Sequence, residues 1–164
     1  MKRSQTDTPG TQTGQDRVTR RLSQAESLCR SQGQRFTSGQ LQLYRLLLSA
    51  DAPMSAYQML DVLGRSQGKR IYPQTVYRTL ALLQARGLVH KLESANAYLP
   101  CTAPTHPHES IHLLCDVCGN AEELVDAKIG SLLSKDASRQ HFRIQHQVIE
   151  LCGVCAGCDS AAAL

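Results

Sequence analysis

Apolar residues recur every three or four positions through four stretches of the first half, then alternate through the second. Ser23, with Glu26 three residues on, has the form of a capping box and predicts a helix running to about Gln32 and stopping at Gly33. Thr37 or Ser38 opens a second helix with Leu41, Tyr44, Leu47 and Leu48 on one face, ending before Pro53. Ser55 caps a third, apolar at Tyr57, Met59, Leu60 and Leu63 and ending at Gly64, followed by a polar loop, RSQGKR. Pro73 suits the first turn of a fourth, in which Val76, Leu80 and Leu83 face inward and Gly87 terminates. Residues 1–21 carry Thr, Gln, Gly and Arg without an apolar period, and are expected to form a disordered basic arm.

Beyond Gly87 the period changes. Leu88–Leu92 reads as a strand, Glu93–Asn96 as a turn and Ala97–Leu99 as the returning strand. Helices followed directly by a hairpin are the winged-helix order, in which the helix before the hairpin enters the major groove of DNA. Residues 100–110 hold three prolines and no period, and read as a hinge. Ile111–Leu114 and Ala121–Val125 are expected strands. Asp126 opens a helix to about Ser138, and Phe142–Leu151 is expected to form a long strand. The fold class is therefore α+β: an arm at 1–21, a winged-helix domain at 22–99, a hinge at 100–110 and a small α/β domain at 111–164.

Charge divides at nearly the same place. Residues 1–95 hold 14 Lys/Arg against 6 Asp/Glu; residues 96–164 hold 4 against 8. A basic half points to a polyanion, and double-stranded DNA is the usual one. The expected reading face is the start of the fourth helix. There Arg78 and Gln74 suit guanine and adenine edges, Thr75 accompanies them, and Tyr77 offers its ring to a thymine methyl or its hydroxyl to phosphate. Arg20, Arg21, Arg35, Arg65, Lys69, Arg70 and Lys91 remain for the phosphate backbone. No apolar run reaches membrane-spanning length and no apolar stretch follows the basic start, so a cytoplasmic location without a membrane partner is expected.

Six of the seven cysteines lie beyond position 100. In a cytosolic chain such clustering suggests metal rather than disulfides. Cys115-x-x-Cys118 and Cys155-x-x-Cys158 supply four thiolates, the set for a closed, structural zinc site. The 36 residues between the pairs suffice for a strand, a helix and a returning strand. Cys152-x-x-Cys155 is a formal alternative pair. A redox dithiol would open a helix in a βαβ unit, and neither pair opens a convincing one. His90, Cys101, His108 and Glu123 form a second set, which would clamp wing, hinge and acidic domain around one ion. An enzyme is not expected. The His-x-Glu and Pro-Cys-x-x-Cys of zinc deaminases are missing, and no small-molecule substrate is implied.

PQTVYRTLALLQARGLVHKLES at 73–94, NAYLPC at 96–101, HLLCDVCG at 112–119 and HQVIELCGVCAGC at 146–158 together resemble the ferric uptake regulator family, most closely its zinc uptake regulator branch. The resemblance covers about residues 20–160. It implies a zinc-responsive homodimer that represses zinc-uptake genes from a roughly palindromic, AT-rich operator. It also implies two Zn2+ per chain: a structural ion on Cys115, Cys118, Cys155 and Cys158, and a regulatory ion on His90, Cys101, His108 and Glu123. Base contacts fall on Tyr77 and Arg78. Matching the Gly-x-Cys-x-x-Cys ending sets Cys152 aside. The alternative within the family is an iron- or peroxide-responsive repressor, against which the soft Cys101 thiolate argues. Three features depart from the family pattern. Thr37-Ser38-Gly39-Gln40 stands where Thr-Pro-x-Arg is common, Glu122 adjoins Glu123 as a rival carboxylate, and His112 matches a third metal position of other branches.

Overall fold

The computed structural model describes residues 14–68, 70–104, 110–145 and 147–162. Four helices, α1 (Gly14–Ser31), α2 (Ser38–Ser49), α3 (Ala56–Gln67) and α4 (Pro73–Ala85), lead into the hairpin β1 (Val89–Leu92) and β2 (Ala97–Pro100). Thr37 and Ser55 cap α2 and α3, each with a capping box completed by Gln40 and Gln58. Gln40 thus serves the helix end: its Oε1 accepts from the Thr37 N–H at 3.0 Å. Asn96 turns the hairpin with φ +46°, a left-handed conformation that asparagine tolerates. Met54 pairs with Tyr98 through two backbone hydrogen bonds of 2.8 and 3.0 Å, adding a third rung to the wing.

The expected arm gives way to helix over residues 14–21, while residues 1–13 lie outside the described residues. The reason is an apolar spacing that begins earlier than Ser23. Val18, Leu22, Ala25 and Cys29 recur at fours and threes, and all four are buried against α2. α3 also runs past Gly64 to Gln67. The left-handed stop belongs to Gly68, at φ +59°, and an Arg65–Asp61 pair of 2.8 Å lies along the turn between. Tyr57, expected on the inner face, is 68% exposed. One core unites α1 to α4 with the wing: Leu43, Tyr44, Leu47, Met59, Val76, Leu80, Leu83 and Leu88 are almost wholly buried.

The second unit consists of β3 (Ser110–Cys115), β4 (Ala121–Val125), α5 (Ala127–Arg139), β5 (Ile149–Gly153) and α6 (Ala156–Ala162). Its sheet has the order β4-β3-β5, with β3 antiparallel to β4 and parallel to β5. Strand begins at Ile149 rather than Phe142, because β3 offers partners only to Ile149–Gly153. α6, which the sequence reading did not foresee, starts directly after Cys155. Beyond residue 110 only Ile111 and Cys115 are buried apolar residues among those described. Leu113, Leu124, Leu132, Phe142, Leu151 and Val154 stay exposed. A unit this poor in core requires a staple, a partner surface, or both.

Candidate metal centres and nucleic-acid interface

Two sulfur-bearing turns meet at one end of the small sheet. Cys115 ends β3 and Gly119 follows in the left-handed region at φ +71°, the conformation that bends the first pair into a knuckle. β5 brings the second pair back alongside, where the Asp116 N–H donates to the Gly153 carbonyl at 2.8 Å. The ligating atoms of Cys115, Cys118, Cys155 and Cys158 all lie within 4.8 Å of one another. The Cys118–Cys155 sulfur separation is 3.8 Å. A tetrahedron with metal–sulfur bonds of about 2.3 Å has edges of about 3.8 Å, whereas a disulfide needs about 2.05 Å. The donor set and its size therefore fit a tetrahedral, thiophilic cation. Cys152 is exposed on β5 opposite Leu114 and stays out of the cluster.

The electrostatics of the four thiols point the same way. Backbone N–H groups of Cys118, Cys155 and Val117 face the Cys115 sulfur and hold its pKa down at about 6. Hydrogen bonding with Cys155 and Cys118 pushes the Cys158 thiol up to about 12. One thiolate forms readily, and the last is opposed by its neighbours. A dication at the centre removes that opposition.

The second cluster spans the two units. His112 on β3 has Glu123 of β4 and Glu150 of β5 as its register partners, so the three form one row on one sheet face. That face meets the wing: the His90 and His112 rings lie 5.0 Å apart. The Glu123 side chain is 0% exposed. Its Oε1 lies 2.9 Å from His90 Nε2 and accepts from Ser110 Oγ at 2.7 Å. Its Oε2 accepts from the Thr102 N–H and hydroxyl, both at 2.6 Å. Burial opposes the charge, yet hydrogen bonds from His90, Thr102 and Ser110 hold this carboxyl far below the usual range. Glu122, one residue away, pairs with Leu113 on the opposite face and is exposed.

Cys101 lies 3.9 Å from Glu123 Oε1 and is fully buried, its N–H donating to the Leu88 carbonyl as a last rung of the wing. Burial and the Glu123 charge push its thiol up to about 11. The ligating atoms of His90, Cys101 and Glu123 come within 4.8 Å of one another. Nitrogen, sulfur and oxygen converging on one point, with an ionised carboxylate among them, fit a borderline-soft divalent cation. His108, the fourth expected ligand, lies outside the described residues. Thr102, Ser110 and Glu150 complete the surroundings, and none was singled out from the sequence. Hydroxyls and one more carboxylate carry no spacing signal, and only the strand register brings them together.

In the first turns of α4, Gln74, Thr75, Tyr77 and Arg78 are exposed around a buried Val76. Tyr77 is 40% exposed. Of the cations expected to reach phosphate, Arg20, Arg35 and Arg70 are exposed. Arg21 is instead turned inward, donating to the Cys101 carbonyl. Arg65 pairs with Asp61 and Lys91 with Glu93, and Lys69 lies outside the described residues. No helix among the described residues is long and apolar enough to cross a membrane.

This arrangement has counterparts. A zinc uptake regulation protein of Escherichia coli (strain K12) is 38% identical over 138 residues, 84% of this chain and 80% of that protein. A structure of a zinc uptake regulator complexed with zinc and DNA superposes with a TM-score of 0.86 at 35% identity, covering 90% of this chain and 98% of that one. Holo XcZur superposes at 0.77 with 38% identity, covering 85% and 96%; apo XcZur reaches only 0.51 at 36% identity, covering 88% and 99%. The model of the Ferric uptake regulator family matches residues 31–152, spanning α4, the wing and the first Cys pair, and on that match the chain belongs to the ferric uptake regulator family.

Proposed function

We propose that the chain is a zinc-responsive transcriptional repressor, a regulator rather than an enzyme, that binds operator DNA as a zinc-loaded homodimer and represses zinc-uptake genes. The observation that carries this is the cluster of His90, Cys101 and Glu123 at the seam, drawn from the wing, the segment after it and the pairing sheet. His108 is assigned as the fourth ligand. Bound there, zinc supplies a divalent charge that ties these donors together. The chain's own part is to hold Glu123 ionised and dry, to keep Cys101 on the wing's last rung, and to carry the wing and α4 as one body. Two Zn2+ per chain follow: one at the seam and one in the four-cysteine cluster. A sulfur ligand at the seam favours zinc over iron. The domain limits are read as a winged-helix domain from 14 to 100 and a pairing domain from 110 onward, joined by the segment between them.

The test is fluorescence anisotropy on DNA fragments selected from genomic DNA by the zinc-loaded protein. Affinity is expected to rise at least tenfold when chelator is replaced by zinc, a coupling of about 1.4 kcal/mol or more. Equal affinity in the two conditions refutes the reading. Restoration by Fe2+ but not by Zn2+ turns it to the iron-responsive alternative.

Arg78 and Tyr77 are assigned to base edges, with Gln74 and Thr75 beside them. Arg78→Ala is expected to weaken zinc-loaded binding to the selected operator by about 5- to 150-fold, the worth of one bidentate guanine contact of about 1–3 kcal/mol. Binding to unrelated DNA at low salt should change little. A uniform loss on both sequences would reassign Arg78 to phosphate.

The partner surface is assigned to the exposed apolar positions of the second unit. β5 is an edge strand, and Leu151 on it is 53% exposed beside Leu113 of β3. A free edge with apolar neighbours is a site for a second copy. Leu151→Asp is expected to raise the dimer dissociation constant at least about tenfold, because a charge there would be desolvated on pairing. Sedimentation equilibrium checks it, and an unchanged dimer moves the interface elsewhere.

A further inference from the structure

The sheet row that carries Glu123 ends in a second carboxylate that neither metal cluster uses. Glu150, half-buried on β5, reaches across the seam to the tip of the wing. Its Oε1 accepts from the Glu93 N–H at 2.6 Å and its Oε2 from the Ser94 N–H at 2.9 Å. Glu93 and Ser94 open the turn between β1 and β2, so both donors are backbone groups with no strand partner of their own. The side chain of Glu93 is turned to Lys91, which lies 2.5 Å from it and screens the two carboxylates from one another. Burial opposes the charge on Glu150, but the Ser94 and Glu93 donors and the nearby His112 hold its pKa below the ordinary carboxylate value.

The geometry matters because of where the two carboxylates stand. Glu123 and Glu150 lie on the strands either side of β3, about 9–10 Å apart across the sheet. Glu123 engages the base of the wing at His90 and the residue after Cys101. Glu150 engages its tip. A single point of attachment leaves the winged helix free to turn about it; two points fix its direction. α4 is joined to β1 by the three residues Arg86, Gly87 and Leu88, and both pack in the same core, so fixing the wing fixes the reading helix.

We propose that Glu150 is a positioning residue, the metal-independent half of a two-point clasp that sets the angle of the reading head on the pairing sheet. This rests on the zinc-switch reading above for its effect on DNA, but not for the contact itself. Both donors are main-chain, so the clasp recognises the shape of the wing turn rather than its side chains, and substitutions at Ser94 that keep the turn should be tolerated. Loss of the carboxylate removes two charge-assisted hydrogen bonds at once.

The test compares Glu150→Ala and Glu150→Gln with the parent, as full-length dimers. Three quantities are read: zinc per chain, amide exchange at Glu93 and Ser94 in the zinc-loaded protein, and operator affinity in zinc and in chelator. Glu150→Ala is expected to keep its zinc and its dimer, to lose protection at both amides, and to bind operator about tenfold more weakly in zinc, while its weak binding in chelator is unmoved. Glu150→Gln, which retains one accepting oxygen and the volume, should fall between; it also stands in should the alanine variant fail to fold. Protected amides in Glu150→Ala, or operator affinity within twofold of the parent in zinc, overturn the clasp. If the parent itself is indifferent to zinc, the switch reading fails, and the amide exchange still decides the clasp by itself.

Discussion

Cys115→Ser is expected to leave the second unit unfolded and the protein monomeric. The winged-helix unit should survive, because its core is made by α1 to α4 and the wing, without help from the sheet. The reason for so large an effect is that the second unit has almost nothing else. Its described residues bury two apolar side chains, and Leu113, Leu124, Leu132 and Leu151 stay exposed. A tetrahedral zinc site contributes about 10–16 kcal/mol of apparent folding free energy, comparable with the roughly 5–15 kcal/mol of a whole domain. Three backbone N–H groups also face the Cys115 sulfur and hold its pKa down at about 6, which suits it as a metal ligand. A hydroxyl in its place leaves the other three sulfurs to bind with the most willing donor gone. Circular dichroism melting and sedimentation, on protein purified without chelator, check the outcome. Two separate melts should become one, at the temperature of the first unit. A dimer that persists with full zinc content would show that the pairing sheet is held by something other than its sulfurs.

Cys101→Ser has a different signature. It is expected to lose one of two zinc ions per chain and the zinc dependence of DNA binding, while dimer and melting of the second unit are kept. Cys101 is fully buried and its backbone closes the wing ladder, a role that serine fills equally well. What serine lacks is a thiolate. The pocket at present pushes that thiol up to about 11, through burial and the Glu123 charge, so it ionises only with a cation beside it. Metal analysis gives the stoichiometry, and anisotropy in zinc and in chelator gives the coupling. A drop of at least tenfold in zinc-loaded operator affinity, to the level seen in chelator, is the expected result. Retention of two ions per chain would remove Cys101 from the seam site.

Much of this was legible along the chain. The capping residues Thr37 and Ser55, Pro73 at the start of α4 and the left-handed Gly87 fix their elements locally, so their boundaries need no tertiary information. Where the reading failed, a longer-range contact had decided. Helix over 14–21 exists because α2 offers Val18 and Leu22 a surface to cover, and strand at 142–148 does not form because β3 has no partners to give. Gly64 carried a stop signal that Leu63, packed in the core, and the Asp61–Arg65 pair overrode, leaving Gly68 to end the helix.

The sites divide in the same way. Paired cysteines declare themselves because their spacing is the geometry of one turn, and the turn is local. The sequence by itself therefore determined the order of elements as far as β5 and the four-sulfur set. Only the tertiary structure decided that Glu123 rather than Glu122 faces the wing, that Arg21 turns inward, and that Glu150 grips the wing's tip. In each case the choice is between the two faces of a strand or two directions of a long side chain. That choice is made by register and packing between residues far apart in the chain, which no local pattern encodes.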